Sequence, residues 1–347
     1  LIYNAHHAEK GNYPRYFLEQ ASFFTISGVN NDTKEAMISE DGMVEVDKAS
    51  FSLEPMLMID KHLYNWANVT AKQQMGNSTE TSKYEFIPTV QWDVKDIHFK
   101  TEITSGGIAN TDSHLYIKYT FENRSAQNKD FDFYLLLRPF QVNPYYQDLN
   151  LIGGVGTIHA IQTQDNQTLK VDDKWIYADK PYQNISTYSL AEGDVVALIQ
   201  KQILNSQKEI QDASGMATGV ITYKMQLLPN ESKTFFIKVP FHNALNGKQQ
   251  NLSDEFDQSV DFWKDKINHI KFNLPPSADR IINTYKSNLV YILTNRDKAG
   301  IQPGSRSYER SWIRDGSLTS SALLKSGIVQ EVKDYINWYS DYLYDNG

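Results

Sequence analysis

From its start to about residue 245 the chain alternates apolar and polar positions with a period of two. Ile97, Phe99, Thr101 and Ile103 make one such face, Leu115, Ile117, Tyr119 and Phe121 a second, and Phe131, Phe133, Leu135 and Leu137 a third. Val195 to Ile199, Val220 to Leu227 and Thr234 to Val239 repeat the pattern, the last two joined across Pro229-Asn230. Strand side chains point alternately to the two faces of a sheet. Such alternation, broken by Gly, Asn and Pro, predicts an all-β antiparallel sandwich.

The period changes near Asn251. Ser253 to His269 carries Phe256, Val260, Trp263 and Ile267 at helical spacing, with acidic residues at its start where the helix dipole favours them. Leu274-Pro275-Pro276 ends that helix, and Ser277 is the expected N-cap of the next. There Ile281, Tyr285, Leu289 and Ile292 step by three or four. Asn295 to Ser311 is a Gly- and Ser-rich loop. Leu318 to Lys325 reads as a third helix, with Gly327 at its C′ position. Val329 to Tyr344 reads as a fourth, with Val332, Tyr335, Ile336, Tyr339 and Leu343 on one side. The expected organisation is a β-sandwich over 1–245, a linker helix over 246–276 and a helical portion over 277–347.

Composition narrows the function classes. At 347 residues the chain exceeds what one core usually organises. A net charge of −8 provides no basic footprint, which argues against nucleic acid as a partner. The longest apolar run, around Phe133 to Leu137, falls far short of the ~18–20 residues that span a bilayer. Without cysteine there are no disulfides, thiolate nucleophiles or Cys-ligated zinc. Eight Asn-x-Ser/Thr sites, at Asn31, Asn68, Asn77, Asn123, Asn166, Asn184, Asn230 and Asn251, suggest an extracellular or periplasmic protein. Crowding of Asn, Ser and Thr into turns explains them equally well. The start at Leu1, without an initiator Met or signal-type segment, fits a processed or trimmed chain.

The stretch Ile301 to Gly316 concentrates the chemistry. Arg306, Glu309, Arg310, Arg314 and Asp315 sit at a loop-to-helix junction with Tyr308 and Trp312 among them. Planar guanidinium and carboxylate groups grip hydroxyls bidentately, and an aromatic face accepts a sugar ring, so this set suits a neutral polyol. The bland alternative is a helix cap or a surface ion pair worth at most about 1 kcal/mol.

Trp312-Ile-Arg-Asp-Gly316, with Ala322-Leu-Leu-Lys-Ser-Gly327 downstream, resembles the Trp-x-Arg-Asp motif of helical-barrel glycosidases. These are the glucoamylase family and its relatives among maltose- and cellobiose-type phosphorylases. The stretches Leu137 to Pro144 and Ser305 to Asp315 are also similar to those of a group of bacterial glycosidase-like proteins. The resemblance implies a large antiparallel β-sandwich, a linker helix and then the first helices of an (α/α)6 barrel. It implies that Arg314 and Asp315 hold hydroxyls of the sugar in subsite −1, with Trp312, Tyr308, Arg310 and Glu309 as further substrate-binding candidates. A closed barrel of twelve helices needs at least ~150–230 residues, so the 277–347 portion is expected to be incomplete.

Inverting glycosidases use two carboxylates about 6.5–9.5 Å apart. The resemblance places the general acid beyond residue 347, so no catalytic residue is assigned, and the rest of the barrel becomes an expected partner. The implied activity is an inverting glycoside hydrolase acting on a glucoside-type oligo- or polysaccharide. A disaccharide phosphorylase of the same architecture and a non-catalytic carbohydrate-binding protein are the alternatives. A polysaccharide lyase fits less well, because lyases combining these folds generally place the helical toroid first. No cofactor motif and no metal site is expected. His6-His7 reads as surface, and His98, His114 and His159 lack spaced partners. Gly153-Gly154-x-Gly156 reads as a turn.

Overall fold

The computed structural model describes residues 1–78, 84–242 and 251–346. Two antiparallel sheets dominate it. The first runs in the order Phe24–Gly28, Glu35–Ser39, Val44–Glu45, Ser52–Ile59, Lys129–Arg138, Thr218–Leu227 and Asn184–Tyr188, with His62–Tyr64 paired to Ser52–Ile59. The second runs Ile210–Gln211, Ala160–Thr163, Thr168–Val171, Lys174–Ala178, Ser232–Pro240, Asp112–Asn123, Ile97–Ile108, Tyr84–Val94 and Ala71–Ser78.

The three alternating faces read from the sequence meet between the sheets. Phe99 and Phe121 are register partners on neighbouring strands, their ring centroids 4.9 Å apart. Phe133, on the other sheet, lies 5.0 Å from Phe121 and 5.6 Å from Phe235. All four are buried. Burying such a side chain contributes about 1.5–3 kcal/mol, and favourable ring geometry adds to that. Alternation therefore forms the strands and also glues the two layers.

The described residues also form six α-helices: α1 (Ile2–His7), α2 (Val195–Gln200), α3 (Leu252–Ile267), α4 (Asp279–Thr294), α5 (Ile313–Lys325) and α6 (Gln330–Ser340). The expected strand at Val195 to Ile199 is therefore a helix, and the first part is not all-β. Asp194 caps α2 by accepting from Val196 N at 2.9 Å, and Val195, Val196 and Ile199 bury one face. The cap and tertiary burial outweigh the β-branched run.

α3 is the helix that the spacing over Ser253 to His269 predicts. Asn251 caps it, and Phe256, Val260, Trp263 and Ile267 are buried as the spacing predicts. Its first turns lie on the outer face of the second sheet, where Phe256 and Val260 join Tyr116 and Phe236. The approach is close: a Cβ on Gly106 would meet Ser259 Oγ at 2.0 Å. The boundary expected at residue 245 lies outside the described residues.

Several helical details differ from expectation. Ser277 is no cap; it lies in a single 3-10 turn, Pro276–Ala278, that runs into α4. α4 buries Leu289, Val290 and Leu293, while Ile281 is 69% exposed. α6 stops at Ser340 and buries Val332 and Tyr335, leaving Ile336 and Leu343 exposed. Gly327 does close α5 with φ +76°: its N–H donates to Leu324 O and Ile328 N–H to Leu323 O, a Schellman pair. The helices share their core with the sandwich, because Tyr84 and Phe86 pack among Trp263, Ile267, Leu289, Val290, Leu323 and Tyr335.

The turn explanation holds for one sequon: Asn123 is buried and donates to the carbonyls of Gln127, Leu227 and Leu228. No helix among the described residues is long and apolar enough to cross a membrane.

Candidate functional site

The loop before α5 is bolted to the sandwich. Arg306 is 1% exposed and adopts φ +54°, an uncommon conformation for a side-chain-bearing residue. Its guanidinium donates to Glu35 Oε1 at 2.9 Å, to Glu45 Oε1 at 2.9 Å and to the Glu35 carbonyl at 3.0 Å. Ser305 Oγ also donates to Glu35. The other oxygen of Glu45 accepts from the backbone amides of Val142 and Asn143 at 2.8 and 3.0 Å. Asn150 Nδ2 donates to Ser307 O at 2.6 Å. Buried ionic groups persist only when paired, and these pairs hold the strained backbone in place.

A second anchor runs through Lys48, whose ammonium lies 2.8 Å from Glu309, 3.1 Å from Glu35 and 3.2 Å from Asp297. Burial pulls the Lys48 pKa down, but Glu35, Asp297 and Glu309 together hold it above its ordinary value. Burial raises the Glu309 carboxyl, and Lys48 only partly offsets this. Glu309 therefore sits in an ion pair with the sandwich, and Arg306 is a structural bolt.

The other candidates lie on the surface at the start of α5. The helix begins at Ile313, earlier than the expected Leu318, so Arg314 and Asp315 occupy its first turn. A carboxylate is favoured there by the exposed amide ends of the helix. Tyr308 is 57% and Trp312 41% exposed. The Arg310 guanidinium stands 4.9 Å over the Trp312 ring, a cation–π contact. Arg314 projects into solvent, its Nη2 3.7 Å from Asp315 Oδ2, so the pair is loose. The structure brings Arg310, Trp312, Arg314 and Asp315 together at one helix start, with Tyr308 on the preceding turn. Free donors, a carboxylate and accessible rings in one place can bind hydroxyls.

Sequence reasoning missed Glu35, Glu45, Lys48 and Asp297. Glu35 and Glu45 lie 271 and 261 residues from Arg306, and no local pattern marks such partners. Among the described residues, no group of three His, Cys, Asp or Glu side chains is arranged to hold a metal ion. His98 hydrogen-bonds Asp93 at 2.8 Å, and His159 is exposed.

No protein-family model and no curated protein sequence matches the chain. Solved structures do match. The shared fold is a large antiparallel β-domain followed by helices. One match is a bacterial glucoamylase complexed with acarbose, with TM-score 0.62 and 12% identity over 94% of this chain and 54% of that one. The chain thus spans about half the length of that relative. A protein described as a kojibiose phosphorylase, from the human microbiome, matches at TM-score 0.31 and 11% identity, over 79% of this chain and 35% of that one. A polysaccharide lyase matches at 0.30 and 12%, over 70% and 34%.

Proposed function

We propose that residues 1–347 are the sandwich and first barrel helices of an exported carbohydrate-active enzyme, an inverting glycoside hydrolase acting on a glucoside-type oligo- or polysaccharide. One observation carries the reading: the fold follows that of glucoamylase over 94% of the chain, and within that fold the Trp312–Asp315 set stands exposed at the start of α5. Arg314 and Asp315 grip hydroxyls of the sugar in subsite −1, and Tyr308 and Trp312 offer ring faces. Arg306, Glu309 and Lys48 fix the loop that presents them. The general acid and the remaining barrel helices come from sequence outside residues 1–347, in the same polypeptide or a second chain. The 347-residue chain by itself should therefore show no turnover.

Product analysis on the complete protein tests this. A glucoside-type oligosaccharide should be hydrolysed equally with and without inorganic phosphate, and the first product should have the anomeric configuration opposite to that of the bond cleaved. Strict phosphate dependence would replace hydrolysis by phosphorolysis. Binding without turnover would leave a carbohydrate-binding protein.

A further inference from the structure

A second concavity lies beside the Trp312–Asp315 set. Where strand Phe24–Gly28 meets α4 and the loop before α5, a cleft of about 650 Å3 opens, within the roughly 300–1,000 Å3 usual for small-molecule sites. Its apolar floor includes Phe24, Ile26, Met37 and Ile292. Asn143, Gln147, Asn288, Asn295 and Gln302 place five carboxamides in its walls. The side-chain amides of Gln147, Asn295 and Gln302 make no hydrogen bond to any described residue, although Gln302 is only 8% exposed. Of these, the Asn295 Oδ1 is itself buried without a partner; withdrawing a polar atom from water unpaired costs free energy, so that oxygen is left for a donor that enters the cleft.

The charge pattern selects the ligand. Arg306 is the sole ionic residue in the wall, and Glu35 and Glu45 neutralise it. A phosphate, a carboxylate or a cation would find no free counter-charge. A carboxamide both donates and accepts, as a hydroxyl does, and the exposed Tyr308 ring at the mouth offers a stacking face.

We propose that this cleft is a second carbohydrate site, taking a short neutral oligosaccharide through Gln302, Asn295 and Gln147. It goes beyond the function proposed above: it needs neither Arg314 nor Asp315, and Tyr308 is the one side chain common to both.

The test is calorimetric titration of the 1–347 chain with maltotriose and, separately, cellotriose. At least one should bind saturably. Gln302→Leu and Asn295→Leu should each weaken binding roughly five- to tenfold. Asn288→Trp, which fills the mouth from an exposed position on α4, should abolish it with an unchanged melting temperature; this variant keeps the test valid if Gln302→Leu fails to fold. Absence of saturable binding by both sugars overturns the proposal, and so would a cleft that accepts only polypeptide. Binding that survives Asn288→Trp but is lost in Asp315→Asn also overturns it, while supporting the subsite role of the α5 residues. Failure of that subsite role would instead appear in the product analysis of the complete protein.

Discussion

Glu45 joins Arg306 to the loop that follows strand Lys129–Arg138 of its own sheet: one of its oxygens accepts from the guanidinium at 2.9 Å, and the other accepts from the amides of Val142 and Asn143. The stretches Leu137 to Pro144 and Ser305 to Asp315 therefore meet at a carboxylate that neither contains. Removing one partner of a buried ion pair leaves an uncompensated charge. Arg306→Met should cost about 3–5 kcal/mol in urea unfolding. Arg306→Lys should recover little, because an ammonium cannot reproduce the planar fork that reaches both glutamates. A loss below about 1 kcal/mol, the scale of a surface pair, would contradict the structural role.

Gly316 is the only residue small enough for its place. A Cβ added there would come within 2.0 Å of Tyr335 Oη on α6. Gly316→Ala should therefore destabilise by roughly 1–3 kcal/mol through overpacking. Tyr335 Oη is buried and has no partner among the described residues, so Tyr335→Phe alone should cost little. The double variant should recover little, because Cζ and Cε1 of the ring at position 335 would still lie 2.4 and 2.9 Å from the added Cβ; thermal melting of the four proteins closes the cycle.

Kinetics and melting together decide whether the α5 residues grip sugar. In the complete protein, charge-assisted bonds worth about 1.5–3 kcal/mol each imply a roughly 10- to 150-fold fall in kcat/KM for Asp315→Asn. Arg314→Lys should fall comparably. Both residues are solvent-exposed at least in part, so their melting points should hold. Trp312→Ala should weaken binding. A normal rate with a lowered melting point would identify a structural ion pair at a helix start.

His114 gives a pH signature. Burial, helped by the Lys238 ammonium, pushes its pKa down to about 4, and Asp112 at 3.2 Å only partly opposes this. The ordinary value is 6.5. Between these two values the unfolded chain takes up a proton that the folded chain refuses, so stability falls as pH drops from 6.5 toward 4. Above 6.5 the contribution is complete. His114→Gln should flatten this part of the melting-temperature profile; an unchanged slope would place the titration elsewhere.

Much of the architecture was written locally. Alternation at Ile97–Ile103, Leu115–Phe121 and Phe131–Leu137 specified strands, because a period of two can bury only one face of a sheet. Phe256, Val260, Trp263 and Ile267 specified α3, and Gly327 its stop for α5, for equally local reasons: helical spacing and a left-handed φ. The Trp312–Asp315 cluster was legible because its chemistry is contiguous in sequence. Tertiary structure decided the rest. It made Val195–Gln200 a helix, through a cap and a buried face that its β-branched composition conceals. It shifted the buried stripe of α4 toward Leu289, Val290 and Leu293, because the packing partners Tyr84, Phe86 and Trp263 come from distant segments. It also divided the ionic residues of one short loop, sending Arg306 and Glu309 to carboxylates and a lysine more than 250 residues away while leaving Arg314 in water. Spacing along a chain encodes which face is apolar; which charge is buried depends on what the fold places opposite it.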